Sequence, residues 1–256
     1  MKHVEVGPDG AHLGYVEIDG RADLPPLVYL HGLGSSSAVY FAGSAADPSL
    51  AGRRVLMLDF LGFGISDRPA SFGYTLSEHA ETAARALDLL GVRGADVIGH
   101  SMGGGVAVLL AERRPDLVGR LVLAEPSLRP SPRPRVEPYT EQSYVDGGFA
   151  TVLDEVGLTW AATMRLASPV AMYRSEHALG ATMPVLDDVL LALPMPRAII
   201  EGDQSGWLHD DPQLRAAGID VHVVTGAGHT LMLDNPAGFA QAVARALDGV
   251  APVPAR

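Results

Sequence analysis

Short apolar runs alternate with helical patterns along most of the chain. The runs are rich in Val, Leu and Ile and too short for helices, so they predict buried strands at 27–30, 54–59, 95–98, 120–124, 197–202 and 221–225. Residues 75–90 and 237–247 have the apolar spacing of amphipathic helices, and Ser77 is the expected N-cap of the first. Strands that alternate with helices predict an α/β fold with a mostly parallel, doubly wound sheet.

The amino-terminal pattern is different. Two alternating segments between Val4 and Glu17 flank a Gly-Pro-Asp-Gly turn, which predicts an antiparallel hairpin at the edge of the sheet.

The alternation is interrupted between residues 127 and 190. This stretch begins with a run of prolines and arginines, which we interpret as a linker rather than as a proline-rich ligand motif, and it continues with broken helical patterns. We therefore expect a core of residues 1–126 and 191–256 with a helical cap at 127–190. The cap should lie above the carboxyl ends of the strands, where open α/β sheets bind ligands.

Composition narrows the functional classes. A net charge of −11 over 256 residues disfavours nucleic-acid or anionic-membrane partners, and no apolar run is long enough to cross a membrane. The absence of cysteine excludes thiol catalysis, thiolate metal sites and disulfides. Without a metal-binding pattern, a nucleotide-binding glycine motif or a secretory signal, we expect no metal, no cofactor and a cytoplasmic location.

One stretch carries the strongest chemical signal. The apolar run at 95–98 leads into Gly99-His100-Ser101-Met102-Gly103-Gly104, followed by an alanine- and leucine-rich helical pattern. A serine at a glycine-flanked turn between strand and helix is the arrangement of a nucleophile elbow. The alternative, a helix N-cap serine, does not explain the flanking glycines.

Further motifs follow in a characteristic order. They are His31-Gly32-Leu33, the segment from Asp59 to Ser66, the elbow, and Gly226-Ala227-Gly228-His229. With these motifs the sequence resembles the α/β-hydrolase family over essentially its whole length. The resemblance implies that Ser101 is the nucleophile, that His229 is its base, and that the backbone N–H groups of Leu33 and Met102 form the oxyanion hole.

The third member of the triad departs from the usual family pattern. The position that most relatives give to the acid holds Ser205, which cannot carry a negative charge. Two carboxylates could replace it: Asp203 on the same loop, and Glu125 at the end of the preceding predicted strand. We favour Glu125, because a subset of the family that includes zearalenone-type lactonases is similar in placing its acid after this strand.

These features predict a serine hydrolase that cleaves a carboxylic ester or lactone of a small, partly apolar metabolite through an acyl-enzyme. Alternatives are C–C bond or thioester hydrolysis, acyl transfer, a cofactor-free lyase or cyclase, and a catalytically silent binding module. We expect four side chains to line the substrate pocket: Trp160, Met164, Tyr173 and Trp207.

Overall fold

A computed structural model describes residues 1–206 and 211–248. The described residues form an eight-stranded sheet in the order β1-β2-β4-β3-β5-β6-β7-β8. The first two strands form the predicted hairpin, β2 pairs antiparallel with β4, and all remaining pairs are parallel. The strands are β1 Lys2–Glu5, β2 His12–Ile18, β3 Leu27–Leu30, β4 Val55–Leu58, β5 Ala95–His100, β6 Val118–Ala124, β7 Arg197–Gly202 and β8 Ile219–Val224.

Helices connect the strands. They are α1 Ser37–Ala45, α2 Leu76–Leu89, α3 Met102–Arg113, α4 Glu141–Ser143, α5 Phe149–Glu155, α6 Leu158–Met164, α7 Pro169–Ala178, α8 Asp187–Ala192, α9 Pro212–Ala216, α10 Leu231–Asp234 and α11 Pro236–Asp248. Short 3₁₀ turns lie at Pro8–Gly10 and Pro48–Leu50, and a π-helical turn at Tyr144–Gly148 precedes α5.

The sheet has an apolar core on each face. Along β3, Val28 and Leu30 pack with α2 and α3, whereas Leu27 and Tyr29 pack with α1 and α11. Successive side chains of a strand point to opposite faces, so a strand covered on both sides needs a continuous apolar run. The prediction of a doubly wound, mostly parallel α/β sheet is confirmed.

The N-cap of α2 differs from the expected one. Thr75, not Ser77, caps the helix, and its hydroxyl accepts from the Glu78 N–H while Glu78 accepts from the Thr75 N–H. This reciprocal capping box satisfies two backbone donors, an advantage that Ser77 lacks because no acidic residue stands three positions after it.

The segment between β6 and β7 packs on the loops that follow β3 and β4. The Ser168 N–H donates to Gly62 O at 2.8 Å, and Arg174 Nη1 donates to Phe72 O at 2.7 Å. Helix α8 packs on α3 of the core and spans the expected cap boundary at residue 190. The proline-rich entry is more than a linker, because it turns at 134–138 and buries Val136 completely.

Candidate functional site

Ser101 lies at the turn between β5 and α3. Its backbone has φ 52° and ψ −118°, a strained conformation for a residue other than glycine. The neighbouring glycines allow strand and helix to approach: a Cβ at Gly99 would lie 2.5 Å from Gly103 O, and a Cβ at Gly103 would clash with the carbonyls of Leu30 and His31. The strained turn and close packing fix the position from which the hydroxyl projects.

His229 reaches Ser101 from the loop after β8. Its Nε2 lies 3.1 Å from Ser101 Oγ, within hydrogen-bond distance. The loop is held at both ends. His100 Nε2 lies 2.8 Å from the His229 carbonyl, to which it donates, and the carboxylate of Asp203 accepts from the Gly226 N–H at 2.8 Å. The arrangement gives the serine hydroxyl a proton acceptor.

Glu125 faces the other side of the imidazole. It directly follows β6, is only 1 % exposed, and has a φ of 47° in the left-handed region. Its Oε1 accepts from the Gly202 N–H at 2.8 Å, and its Oε2 lies 3.7 Å from His229 Nδ1. Among the residues that the structure describes, Oε2 has no hydrogen-bond partner. A movement of roughly 0.5–1 Å would bring the two atoms to hydrogen-bond length.

The other carboxylate has a different position. Asp203 Oδ1 accepts from the N–H groups of Gly226 and Ala227, so it braces the loop that carries His229 rather than contacting the imidazole. Ser205, at the usual position of the acid, donates to Gly202 O at 2.9 Å. The structure thus brings together Ser101, His229 and Glu125.

Two buried histidines support the site in their neutral form. Burial lowers the pKa of His100 to about 3, with the nearby His229 ring adding to the effect. Burial also lowers the pKa of His31, whose Nε2 accepts from the Phe60 N–H at 3.0 Å and whose Nδ1 donates to Gly32 O at 2.7 Å. A neutral His31 with its proton on Nδ1 therefore links the Gly32 loop to the residues that follow β4.

The expected oxyanion donors lie beside Ser101. Met102 follows it at the start of α3, and a Cβ at Gly32, next to Leu33, would lie 3.2 Å from Ser101 Cβ. Within the described parts of the chain, neither the Leu33 nor the Met102 N–H donates to a backbone or side-chain acceptor. Trp160 Nε1 donates to Leu33 O at 3.0 Å, so the cap holds the Leu33–Gly34 peptide, which adjoins the peptide that carries the Leu33 N–H.

A cavity of about 310 Å³ opens above these groups. Trp160 lies on its wall. Met164 is fully buried behind it and would contact a Cβ at Gly34, and Tyr173 donates to Tyr139 O within the cap; neither is on the wall, which corrects their assignment to the pocket. Trp207 lies outside the described residues.

Several wall residues were not predicted from the sequence. They are Tyr40, His100, Arg133, Arg135, Glu176, Leu179 and Thr230. The arginines alternate with prolines in the cap entry, and this alternation was the available signal. By itself it predicts a linker, because nothing in the local pattern shows that the segment folds back over the elbow.

A comparison with family sequence models identifies the family. The sequence model of the alpha/beta hydrolase fold matches residues 25–204. The chain belongs to the α/β-hydrolase fold family. It is 38% identical over 120 residues to a 2-hydroxymuconate semialdehyde hydrolase from Pseudomonas putida, a match that covers 46% of this chain and 43% of that protein. The chain therefore spans less than half the length of this curated relative.

Solved structures share the hydrolase fold over almost the whole length of the chain. An esterase from Thermogutta terrifontis has a TM-score of 0.79 at 19% identity, with 97% of this chain and 99% of that one covered. The enol-lactonase from Burkholderia xenovorans has a TM-score of 0.78 at 21% identity, with 96% and 100% covered. At these identities the likeness establishes the fold.

None of the helices in residues 1–206 and 211–248 combines the length and apolarity of a membrane span. Over the same residues, no group of three or more His, Asp and Glu side chains is arranged to hold a metal ion. The cytoplasmic location and the absence of a cofactor stay predictions.

Proposed function

We propose that this hydrolase cleaves a carboxylic ester or lactone through an acyl-enzyme formed on Ser101. The observation that carries the proposal is the contact between Ser101 Oγ and His229 Nε2, at 3.1 Å, with the buried Glu125 carboxylate on the opposite side of the ring. A serine hydroxyl becomes an effective nucleophile when a neighbouring base accepts its proton.

Each group has one role in this reaction. His229 takes the proton from Ser101 as the hydroxyl attacks the carbonyl carbon, and Glu125 stabilises the imidazolium that forms. The N–H groups of Leu33 and Met102 donate to the oxyanion of the tetrahedral intermediate. The intermediate collapses when His229 protonates the departing oxygen, and a water activated by the same imidazole then releases the acid.

The cavity favours a small substrate. A volume of about 310 Å³ is at the lower end of the range for ligand pockets, and Leu33, Trp160 and Leu179 give part of it an apolar wall. An ester or lactone of a small, partly apolar metabolite fits these dimensions. We propose no nucleic-acid or membrane partner, because the net charge of −11 would repel phosphate groups.

Hydrolysis of a C–C bond is a second candidate. The Pseudomonas putida relative is a 2-hydroxymuconate semialdehyde hydrolase, and its matched segment is 38% identical to this chain. Ser101 would attack the carbonyl of such a compound, with His229 and Glu125 in the same roles. The two candidates differ in the leaving group, which is an oxygen in one and a carbon in the other.

Active-site labelling and turnover together test the proposal. A fluorophosphonate should add to Ser101, detected by intact mass and peptide mapping, and p-nitrophenyl esters of short acids should be hydrolysed. Ser101→Ala should abolish labelling and reduce kcat by at least about 10³-fold. Retained activity in Ser101→Ala would contradict the acyl-enzyme and favour lyase or cyclase chemistry. Turnover of a vinylogous 1,5-diketone in preference to all esters and lactones would favour the C–C candidate.

A further inference from the structure

Two arginines face the cavity from the proline-rich entry of the cap. Arg133 and Arg135 both lie on its wall, and Glu176 is the one cap carboxylate among the wall residues. The chain as a whole carries 30 acidic residues against 19 basic ones. The two guanidinium groups therefore make the cap wall of the cavity positive, whereas the protein as a whole is negative.

The Arg133 guanidinium is incompletely paired. Its Nη1 lies 3.5 Å from Glu176 Oε2 and its Nη2 lies 3.4 Å from Leu179 O, both at the long limit of a hydrogen bond. Its Nε is buried and meets no acceptor within residues 1–206 and 211–248. Its side chain is only 20% exposed, so water compensates little of this deficit. The Arg133 guanidinium therefore keeps N–H donors that can bind a further acceptor.

Arg135 is more exposed than Arg133 and has no carboxylate at ion-pair distance among the described residues. Its guanidinium carbon lies 5.2 Å from the centre of the Trp160 ring, and in the part of the chain that the structure describes it has neither an ion pair nor a hydrogen bond. The same Trp160 ring donates to Leu33 O at 3.0 Å. Stacking on this ring therefore holds the charge of Arg135 on the side of the cavity next to the proposed oxyanion donors.

We infer that Arg133 and Arg135 bind a carboxylate carried by the substrate. The inference rests on the proposed function and narrows its substrate class to an ester or lactone with a second, anionic end that lies under the cap. A guanidinium presents parallel N–H donors that match the two oxygens of a carboxylate. Glu176 offsets part of the charge of the two arginines, and the second guanidinium leaves this wall with a net positive charge for the carboxylate.

A pair of isosteric esters tests this inference. Mono-p-nitrophenyl glutarate ends in a carboxylate, whereas p-nitrophenyl 5-methylhexanoate ends in an isopropyl group of the same shape. We expect kcat/KM to be at least about 10-fold higher for the charged ester, and this ratio to fall with added salt. Arg135→Gln should reduce the ratio by about 10-fold or more, mainly through KM, and Arg135→Lys should restore part of it.

Arg129→Gln is the matched control. Arg129 lies on the same segment but is exposed and paired with Asp187, so the ratio of the two esters should equal that of the wild type. Binding to Ser101→Ala, measured by calorimetry, separates the two proposals. Hydrolysis of both esters at equal kcat/KM would overturn the carboxylate site alone. Tighter binding of the charged ester without turnover in the wild type would instead contradict the proposed hydrolase activity.

Discussion

Glu125 Oε2 lies 3.7 Å from His229 Nδ1, and this pairing joins the ends of β6 and β8 across the intervening β7. The Gly202 N–H, at the end of β7, donates to the other carboxylate oxygen at 2.8 Å. A buried carboxylate is costly unless it is paired or hydrogen bonded. The strand between the two residues therefore helps to hold the acid that faces the histidine.

Replacing Glu125 with Gln should lower kcat strongly. An amide cannot stabilise the imidazolium and can turn its N–H toward Nδ1, which favours the wrong tautomer, so we expect a loss of about 10²–10⁴-fold in p-nitrophenyl ester turnover. Asp203→Asn is the control, because Asp203 braces backbone N–H groups and its replacement should act mainly on thermal stability. A large loss of kcat in Asp203→Asn with little change in Glu125→Gln would assign the acid to Asp203.

Replacing Trp160 with Phe should weaken transition-state binding while keeping the ring that Arg135 stacks on. The change removes the indole N–H that donates to Leu33 O at 3.0 Å and orients the adjacent peptide group. One hydrogen bond of this kind contributes about 0.5–1.5 kcal/mol, so kcat/KM should fall by about 2- to 10-fold with a small shift in Tm. An unchanged rate of fluorophosphonate labelling and of ester turnover would show that the cap does not position this loop.

Gly103→Ala should destabilise the fold. A Cβ at this position would clash with the carbonyl oxygens of Leu30 and His31, and backbone atoms cannot move aside as a flexible side chain can. Overpacking of a tight site costs about 1–3 kcal/mol, measurable by urea unfolding. Gly147→Ala is the matched control, because a Cβ there meets nothing within 4 Å. Equal unfolding midpoints for the two variants would contradict the steric account of the elbow.

His79 should make the protein less stable in mild acid. Burial lowers its pKa from 6.5 to about 3, and both ring nitrogens lack hydrogen-bond partners among the surrounding aromatic side chains. Between these two pH values the unfolded chain binds a proton that the folded protein does not, so stability falls as the pH falls. Between pH 7.5 and pH 5, protonation of His79 in the unfolded chain lowers the free energy of unfolding by about 2 kcal/mol.

His79→Phe should therefore flatten the pH dependence. The free energy of unfolding, measured in urea at pH 7.5 and pH 5, should drop by about 2 kcal/mol less in this variant than in the wild type. His3→Phe, at an exposed position on β1, should retain the wild-type profile. A parallel pH profile for His79→Phe would mean that another group dominates the acid sensitivity.

Local sequence information was sufficient for the fold class. Continuous apolar runs such as Leu27–Leu30 and Val55–Leu58 are required wherever a strand is covered on both faces, and this requirement can be read without knowing the partner strands. The prediction of Ser77 as the N-cap of α2 was wrong, because a capping box depends on two residues rather than on the presence of one serine.

The sequence was enough to single out Ser101 and His229 as candidates. The glycines around Ser101 meet a steric need that is local to one turn, and His229 was identified by the order of the motifs along the chain. The acid could only be narrowed to two carboxylates. Glu125 and Asp203 each follow a strand of the same sheet, and the direction in which each side chain points depends on how β6, β7 and the loop after β8 pack together.

Of the cap side chains on the wall of the cavity, the sequence predicted Trp160, and only the tertiary structure added Arg133 and Arg135. Met164 and Tyr173, on the same cap, were predicted to line the pocket but pack within the cap instead. Strand periodicity and turn chemistry act between near neighbours in sequence, so the sequence alone determined the strands and the turn at Ser101. Contacts between the cap and the strand ends join residues that are distant in sequence, and only the folded chain selects among them.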